Sequence, residues 1–178
     1  MAQPANLVLI GPTGAGKTSV GRLIAPKLGL RFVDLDAEVE ASTGASIPLI
    51  FELEGEAGFR DREHRALAAA CAGSGQVIAT GAGAVLREDN RRLIKSAGLV
   101  VMIAATVEEQ LERLGRDRNR PLLAGGERRL RLERLAEQRE PIYRELADLI
   151  IDTADRSPQG TCAALLAALA DRGIEFAR

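Results

Sequence analysis

The residues of this chain with the clearest capacity for chemistry form the stretch GPTGAGKT at positions 11–18. Its glycines let the backbone turn so that successive N–H groups point into one concavity, and a following helix N-terminus adds partial positive charge. Lys17 can then reach the β- and γ-phosphates of a nucleoside triphosphate, while the Thr18 hydroxyl ligates Mg²⁺. An apolar run precedes the stretch and a segment with helical spacing follows it, which is the context this pattern requires. We therefore predict a triphosphate-binding loop rather than a plain glycine-rich turn.

Two acids follow the second apolar segment of the chain. Asp34 and Asp36 are expected at the carboxyl end of a strand, where ligands gather in open parallel α/β sheets. Being two apart on an extended segment, their side chains would leave opposite faces. One acid would then face the metal and phosphates and the other an acceptor molecule. The alternative is a solvated strand end.

Two arginines gain significance only as a pair. Arg60 lies in GFRDRE at 58–63, and Arg139 lies in EQREPIY at 137–143. Alone, each resembles an ordinary surface arginine. Across a cleft, the two guanidinium groups would hold a carboxylate through bidentate hydrogen bonds, a geometry that lysine cannot reproduce.

The stretch TGAG at 80–83 follows a third predicted strand. Small residues at a strand end let a ligand approach the backbone closely, although a plain tight turn would also explain them. The third and fourth strands end without an acid, which disfavours an ABC-type ATPase. The chain also has neither N-K-x-D nor D-x-x-G, which disfavours a GTPase switch.

An arginine-rich stretch occupies residues 116–126. An RNA-binding patch is one interpretation, but acids interrupt the stretch and no aromatic residues accompany it. A mobile lid fits better, since the glycines at 115 and 125–126 can act as hinges and Arg120 can close onto the transferring oxygens. His64, in the middle of a charged helix, is expected to face solvent.

The elements that must position these residues alternate between strand and helix. This alternation predicts an α/β protein with three α/β/α layers, a five-stranded parallel sheet and the P-loop NTPase fold. We expect one kinase domain over 1–178, with a substrate-binding helical segment at about 37–72 and an arginine-bearing lid at about 115–126. Hydrophobic residues make up 46% and the net charge is −1, which favours neither nucleic acid nor membrane as a partner. Two distant cysteines fit a reduced cytoplasmic setting, and the absence of an obvious association stripe favours a monomer.

Together and in order, these stretches resemble shikimate kinase over almost the whole chain, from residue 7 to residue 169. The resembling segments are 11–18, 32–36, 55–63, 80–85, 120–123 and 139–143. The resemblance implies a sheet arranged as in nucleoside monophosphate kinases. It also implies ATP as phosphoryl donor, shikimate as acceptor and Mg²⁺ as cofactor.

The resemblance assigns roles residue by residue. Lys17, Asp36 and Arg120 would be catalytic, Thr18 would ligate the metal, and Asp34 would support it through water. The implied ATP-binding residues are Gly14, Ala15, Gly16, Lys17, Thr18, Ser19, Arg113, Arg120, Arg156 and Pro158. The implied acceptor-binding residues are Asp36, Arg60, Gly81, Ala82, Gly83 and Arg139.

One departure and two rival functions accompany the resemblance. The family usually has three glycines where this chain has Gly81, Ala82 and Gly83. Alanine costs about 1 kcal/mol or more if the middle position needs positive φ, and nothing if φ is negative. A gluconate-type kinase shares the loop but does not need the arginine pair. A catalytically silent ligand-sensing domain would not need Lys17 or Arg120.

Overall fold

The computed structural model describes residues 4–115 and 127–176. Along these residues, five strands and seven α-helices alternate, with one short 3-10 helix at Ala84–Leu86. They are β1 (Asn6–Ile10), α1 (Lys17–Leu28), β2 (Arg31–Asp34), α2 (Leu35–Thr43), α3 (Ile47–Cys71), β3 (Gln76–Ala79), α4 (Glu88–Ala97), β4 (Leu99–Ala104), α5 (Val107–Leu114), α6 (Arg128–Leu146), β5 (Leu149–Asp152) and α7 (Pro158–Asp171). The strands form one parallel sheet in the order β2-β3-β1-β4-β5. The predicted fold class is therefore confirmed.

Two apolar cores sandwich this sheet. All five residues of the central strand β1 are buried, as its unbroken apolar run predicts. On one face, α1 and α7 bury Ile24 and Leu165 completely. On the other face, α3, α4 and α6 contribute Leu67, Ile94 and Leu146. Because all five strands are parallel, their carboxyl ends meet at one edge of the sheet.

The second strand ends earlier than the sequence predicts. β2 stops at Asp34, and α2 begins with the next residue. Asp34 is the N-cap of α2, because its Oδ1 accepts hydrogen bonds from the N–H groups of Asp36 and Ala37 at 3.0 and 3.4 Å. Asp36 therefore lies in the first turn of a helix. The prediction that the two acids leave opposite faces of an extended segment is wrong.

The long helix α3 bends at Gly55, where φ is 68° and ψ is −175°. The sequence predicts two helical pieces separated by this glycine, and the bend confirms the break. The second piece carries Arg60 and Glu63. These side chains lie against Gly83 and Gly81, which places a charged helix face beside the carboxyl end of β3.

The two cysteines are not equally enclosed. Cys162 is buried in the α1/α7 core, whereas Cys71 is only partly buried at the end of α3. Burial raises the pKa of the Cys71 thiol to about 11.

Within residues 4–115 and 127–176, no helix has both the length and the apolar character that crossing a membrane requires.

Candidate active site

The glycine loop turns between β1 and α1 at the carboxyl edge of the sheet. Gly14 and Gly16 have φ of 73° and 90°, values that residues with a side chain rarely adopt. Gly16 caps α1 without a side-chain hydrogen bond, and the first turn contains no acid. The helix N-terminus is therefore open to an anion. Lys17 is 9% exposed, and its Nζ donates to the carbonyl groups of Gly11 and Pro12, both at 2.8 Å.

The Thr18 hydroxyl donates to Asp34 Oδ2 over 2.7 Å, which joins the start of α1 to the end of β2. Hydroxyl and carboxylate oxygens are donors that Mg²⁺ accepts, and this ion usually takes its remaining ligands from substrate phosphates and water. The described residues contain no group of three His, Cys, Asp or Glu side chains that could hold a metal by itself. The pair therefore fits an ion bound mainly through nucleotide phosphates.

A cleft of about 390 Å³ opens beside the loop. Arg113 lines it, with Nη1 donating to Thr153 Oγ1 at 3.0 Å and Nη2 pairing with Glu109 at 3.0 Å. Sequence-predicted residues that line this cleft are Gly14, Ala15, Gly16, Lys17, Thr18, Ser19, Asp34, Asp36, Gly81, Ala82, Arg113, Arg156 and Pro158. Thr153 is an addition that the sequence analysis missed. Its position directly after β5, at the ligand-binding edge of the sheet, could have identified it.

Arg60 is held from three sides. Its Nη1 donates to Glu63 Oε2 at 2.7 Å, and its Nη2 lies 3.3 Å from Glu56 Oε1. Its guanidinium also lies over the ring of Phe59, with 5.2 Å between Cζ and the ring centroid. The guanidinium lies so close to Gly83 that a Cβ at that glycine would overlap it. The arginine and the turn at 81–83 are therefore neighbours.

Arg139 reaches the same place from α6. It is 7% exposed, and its helix also contributes Tyr143, whose hydroxyl donates to the Ala82 carbonyl at 2.5 Å. Burial raises the pKa of Tyr143 to about 12, opposed by the charges of Arg139 and Arg60. The two guanidinium charges thus both lower the pKa of the Tyr143 phenol, and both also lower the pKa of Glu63. Arg60 lies against Gly83 and Tyr143 binds the Ala82 carbonyl, so the helices that carry the two predicted arginines meet at one turn rather than on separate surfaces. Arg139 in addition borders a second cavity of about 190 Å³.

Glu63 is a candidate site residue that the sequence analysis missed. It is 1% exposed, and its buried Oε1 has no hydrogen-bond partner in the part of the chain that the structure describes. Burial raises the pKa of Glu63; the Arg60 and Arg139 charges oppose that rise, and the Asp36 charge adds to it. The i, i+3 spacing from Arg60 could have indicated the ion pair, because residues three apart on a helix are neighbours.

Buried polar atoms without partners concentrate here. Nε of Arg60, Nε of Arg139 and Oε1 of Glu63 have no hydrogen-bond partner among residues 4–115 and 127–176. Unsatisfied buried polar atoms are costly, so they indicate a place where a ligand or ordered water completes the bonding.

The turn at 81–83 accommodates its alanine. Among the described residues, Asp155 is the only non-glycine residue with positive φ, so Ala82 carries no left-handed strain. Glycine is required at the two flanking positions for another reason, because side chains of α3 lie too close to leave room for a Cβ. A Cβ at Gly81 would overlap Glu63 Oε1 and would lie 3.3 Å from Asp36 Oδ1. The methyl group of Ala82 is therefore compatible with the turn.

One prediction about the surroundings is wrong, and another lies outside the described residues. His64 does not simply face solvent, since its ring is partly buried and Nδ1 lies 2.6 Å from Asn90 Oδ1. Arg120 and residues 116–126 of the predicted lid fall outside the described ranges. Gly115 is described and terminates α5.

Comparison with known proteins places these features in a family. The family model described as shikimate kinase matches residues 13–170. A shikimate kinase from Pseudomonas syringae pv. syringae is 49% identical over 166 residues, covering 93% of this chain and 96% of the relative. One from Pseudomonas paraeruginosa is 51% identical over 154 residues, covering 86% and 90%.

Solved structures agree. The shikimate kinase from Acinetobacter baumannii, described as a complex with shikimate, is 42% identical with a TM-score of 0.92, and 96% of each chain is covered. A gluconokinase from Sinorhizobium meliloti has a TM-score of 0.58 at 24% identity over 97% of each chain, a likeness of fold alone. The predicted resemblance is confirmed: the chain belongs to the shikimate kinase family.

Proposed function

We propose that this protein is an ATP-dependent shikimate kinase, which transfers the γ-phosphoryl group to the 3-hydroxyl of shikimate and releases ADP. The observation that carries the proposal is the position of Arg60 and Arg139 around one turn, at residues 81–83, whose Gly81 and Ala82 line the cleft of the triphosphate loop. Arg60 pairs with Glu63 and lies against Gly83, whereas Arg139 borders a cavity that Pro12 and Thr13 of the loop also line. Family membership supports the same activity.

The acceptor is held by its carboxylate in this proposal. Two guanidinium groups offer planar, always charged donors that match a carboxylate bidentately. Their buried Nε atoms find no hydrogen-bond partner among the described residues, and an anionic acceptor would provide one. Glu63 keeps Arg60 oriented and limits the positive charge in the compartment. Asp36, beside Gly81, faces the acceptor and aligns its attacking hydroxyl.

The nucleotide is held by the loop and the N-terminus of α1. Lys17 leaves the loop carbonyls to reach the β- and γ-phosphates, and Arg113, Arg156 and Pro158 flank the adenine. Thr18 would ligate Mg²⁺ and Asp34 would support the ion through water, and the ion would supply positive charge that neutralises the phosphates. The 3-hydroxyl oxygen forms a bond to phosphorus as the bond to the β-phosphate oxygen breaks, and the hydroxyl proton leaves towards Asp36. Arg120 is assigned, from its sequence motif alone, to bind the oxygens of the phosphoryl group that is transferred.

Other expectations follow from membership and composition. We propose that the enzyme acts in the cytoplasm as a monomer, in the pathway that produces chorismate, with no nucleic-acid or membrane partner. A gluconate-type acceptor is the main competitor, and because gluconate also carries a carboxylate that two guanidinium groups can bind, direct comparison of the acceptors has to separate the two.

An acceptor panel tests the proposal. Coupled ADP release should be measured with shikimate, quinate, gluconate and nucleoside monophosphates at saturating MgATP, with Lys17→Met as the inactive control. Turnover with shikimate should exceed turnover with each other acceptor, and the control should show none. A preference for gluconate or for a nucleoside monophosphate would overturn the proposal.

A further inference from the structure

The second half of α3 is tied to α4 by the only histidine of the chain. His64 follows Glu63 directly, and its Nδ1 lies 2.6 Å from Oδ1 of Asn90. Asn90 is completely buried, and its Nδ2 donates to the carbonyl of Ala84 at 2.8 Å. Because that amide N–H₂ is engaged by a carbonyl, the oxygen of the side chain must face His64. The histidine nitrogen is then the donor, which assigns the neutral ring to the Nδ1–H tautomer.

The carbonyl that Asn90 holds belongs to the residue immediately after the acceptor turn. The N–H of Ala84 donates to the Gly81 carbonyl at 3.1 Å, so moving Ala84 moves the turn. Tyr143 holds the carbonyl at position 82, and Arg91 Nη1 donates to the carbonyl of Val85 at 3.0 Å. Side chains of α4 and α6 thus fix the carbonyl groups of residues 82, 84 and 85, within the turn and directly after it.

The side chain that orients Asn90 and the side chain that orients Arg60 lie on the same helix, α3. Glu63 and His64 are adjacent on α3, one bonded to Arg60 and the other to Asn90. Gly83, one residue before Ala84, has no space for a Cβ because the Arg60 guanidinium is there. A shift of the turn relative to α3 would therefore displace Arg60.

We propose that Asn90, oriented by His64, is a positioning residue that fixes the turn at 81–83 against Arg60 for acceptor binding. The kinetic consequence of this inference depends on the proposed function, whereas the tautomer assigned to the His64 ring does not. Asn90 touches no reacting atom, and its effect passes through Ala84. Loss of the bond weakens acceptor binding while the triphosphate loop, across the cleft, keeps its geometry.

The kinetic test compares Asn90→Asp with Asp89→Asn. Aspartate at 90 has the same shape and still accepts from His64, but it presents an oxygen to the Ala84 carbonyl. We expect the KM for shikimate to rise roughly tenfold, with kcat falling less than about threefold and the KM for ATP unchanged. Asp89 is the exposed neighbour on the same helix, so its variant should keep wild-type constants. Wild-type KM for shikimate in Asn90→Asp would overturn the inference.

A second pair keeps the test decisive if Asn90→Asp fails to fold. His64→Gln retains a side-chain N–H donor towards Asn90, whereas His64→Ala removes it. The glutamine variant should hold the KM for shikimate near the wild-type value, and the alanine variant should raise it. Equal constants for the two variants would contradict the orienting role.

The single histidine also gives a readout independent of catalysis. ¹⁵N-histidine labelling yields one pair of ring resonances, recorded at alkaline pH so that the neutral ring is observed. We expect Nδ1 to carry the proton in the wild type, and addition of shikimate to shift its resonance. A proton on Nε2 would overturn the inference. Failure of the wild type to phosphorylate shikimate would instead overturn the proposed function, leaving the tautomer result intact.

Discussion

The Thr18 hydroxyl and the Asp34 carboxylate, 2.7 Å apart, join the triphosphate loop to the helix that carries Asp36. The two oxygens of Asp34 have different tasks. Oδ2 accepts from Thr18, while Oδ1 caps α2 through the N–H groups of Asp36 and Ala37. The Asp34 carboxylate therefore both orients Thr18, the proposed metal ligand, and fixes the start of α2, the helix that carries Asp36.

Substitutions at Asp34 should separate these two tasks. Asp34→Asn keeps an oxygen for the cap, so the free energy of unfolding should stay within about 0.5 kcal/mol of wild type. It removes the charge near Mg²⁺, so activity or Mg²⁺ affinity should fall about 10–100-fold. Asp34→Ala should lose about 1 kcal/mol of stability in addition. Urea unfolding and kcat at varied Mg²⁺ measure both effects; full activity of Asp34→Asn would contradict the metal assignment.

Replacing either acceptor arginine by lysine should weaken acceptor binding. A lysine retains the charge but replaces a bidentate fork by a point charge, so the KM for shikimate should rise at least about tenfold. The KM for ATP should change little in both Arg60→Lys and Arg139→Lys. The matched control is Arg62→Lys, on the same helix as Arg60 but bonded to the exposed Glu54. An unchanged KM for shikimate in Arg139→Lys would exclude its proposed role.

The sequence predicts much of this arrangement because its strongest patterns are local. The strand, glycine loop and helix around Lys17 depend on neighbouring residues, and the parallel sheet follows from alternation of strands and helices. The start of α2 at Leu35 was also a local feature. An aspartate followed by a segment with helical propensity is an N-cap pattern, and the apolar character of 30–35 favoured a longer strand instead.

The missed features depend on which helices pack together. Glu63 and His64 look like ordinary members of a charged helix in sequence, and their burial arises because α4 and the turn at 81–83 cover that face. The pattern of apolar and charged residues within α3 does not predict that this face is buried. The spacing of Arg60 and Glu63 is compatible with an ion pair, which the sequence analysis did not predict, and only the tertiary contact shows that the carboxylate is enclosed.

The buried Glu63 should leave a signature in the pH dependence of stability. Its pKa is raised above the ordinary value of 4.5, so the folded protein holds the proton more tightly than the unfolded chain. The stabilisation is complete below pH 4.5 and is lost as pH rises through the folded pKa, by up to about 1.4 kcal/mol per pH unit. Glu63→Gln should lack this fall.

Urea unfolding at pH values from 4 upwards measures that difference. The free energy of unfolding of Glu63→Gln relative to wild type should increase with pH across the window. Glu56→Gln is the matched control, because Glu56 also contacts Arg60 but is half exposed. It should follow the wild-type pH dependence. Parallel curves for wild type and Glu63→Gln would show that Glu63 titrates normally.

The middle and the last residue of the acceptor turn should respond differently to the loss or gain of one methyl group. Ala82 has no positive φ, so Ala82→Gly should leave the KM for shikimate unchanged and lower stability by about 0.4–1 kcal/mol through the unfolded chain. Gly83→Ala places a methyl group into the Arg60 guanidinium and should raise the KM for shikimate with little change for ATP. Steady-state kinetics and thermal unfolding measure both. A wild-type KM in Gly83→Ala would mean that Arg60 can move aside without cost, and that the turn does not set its position.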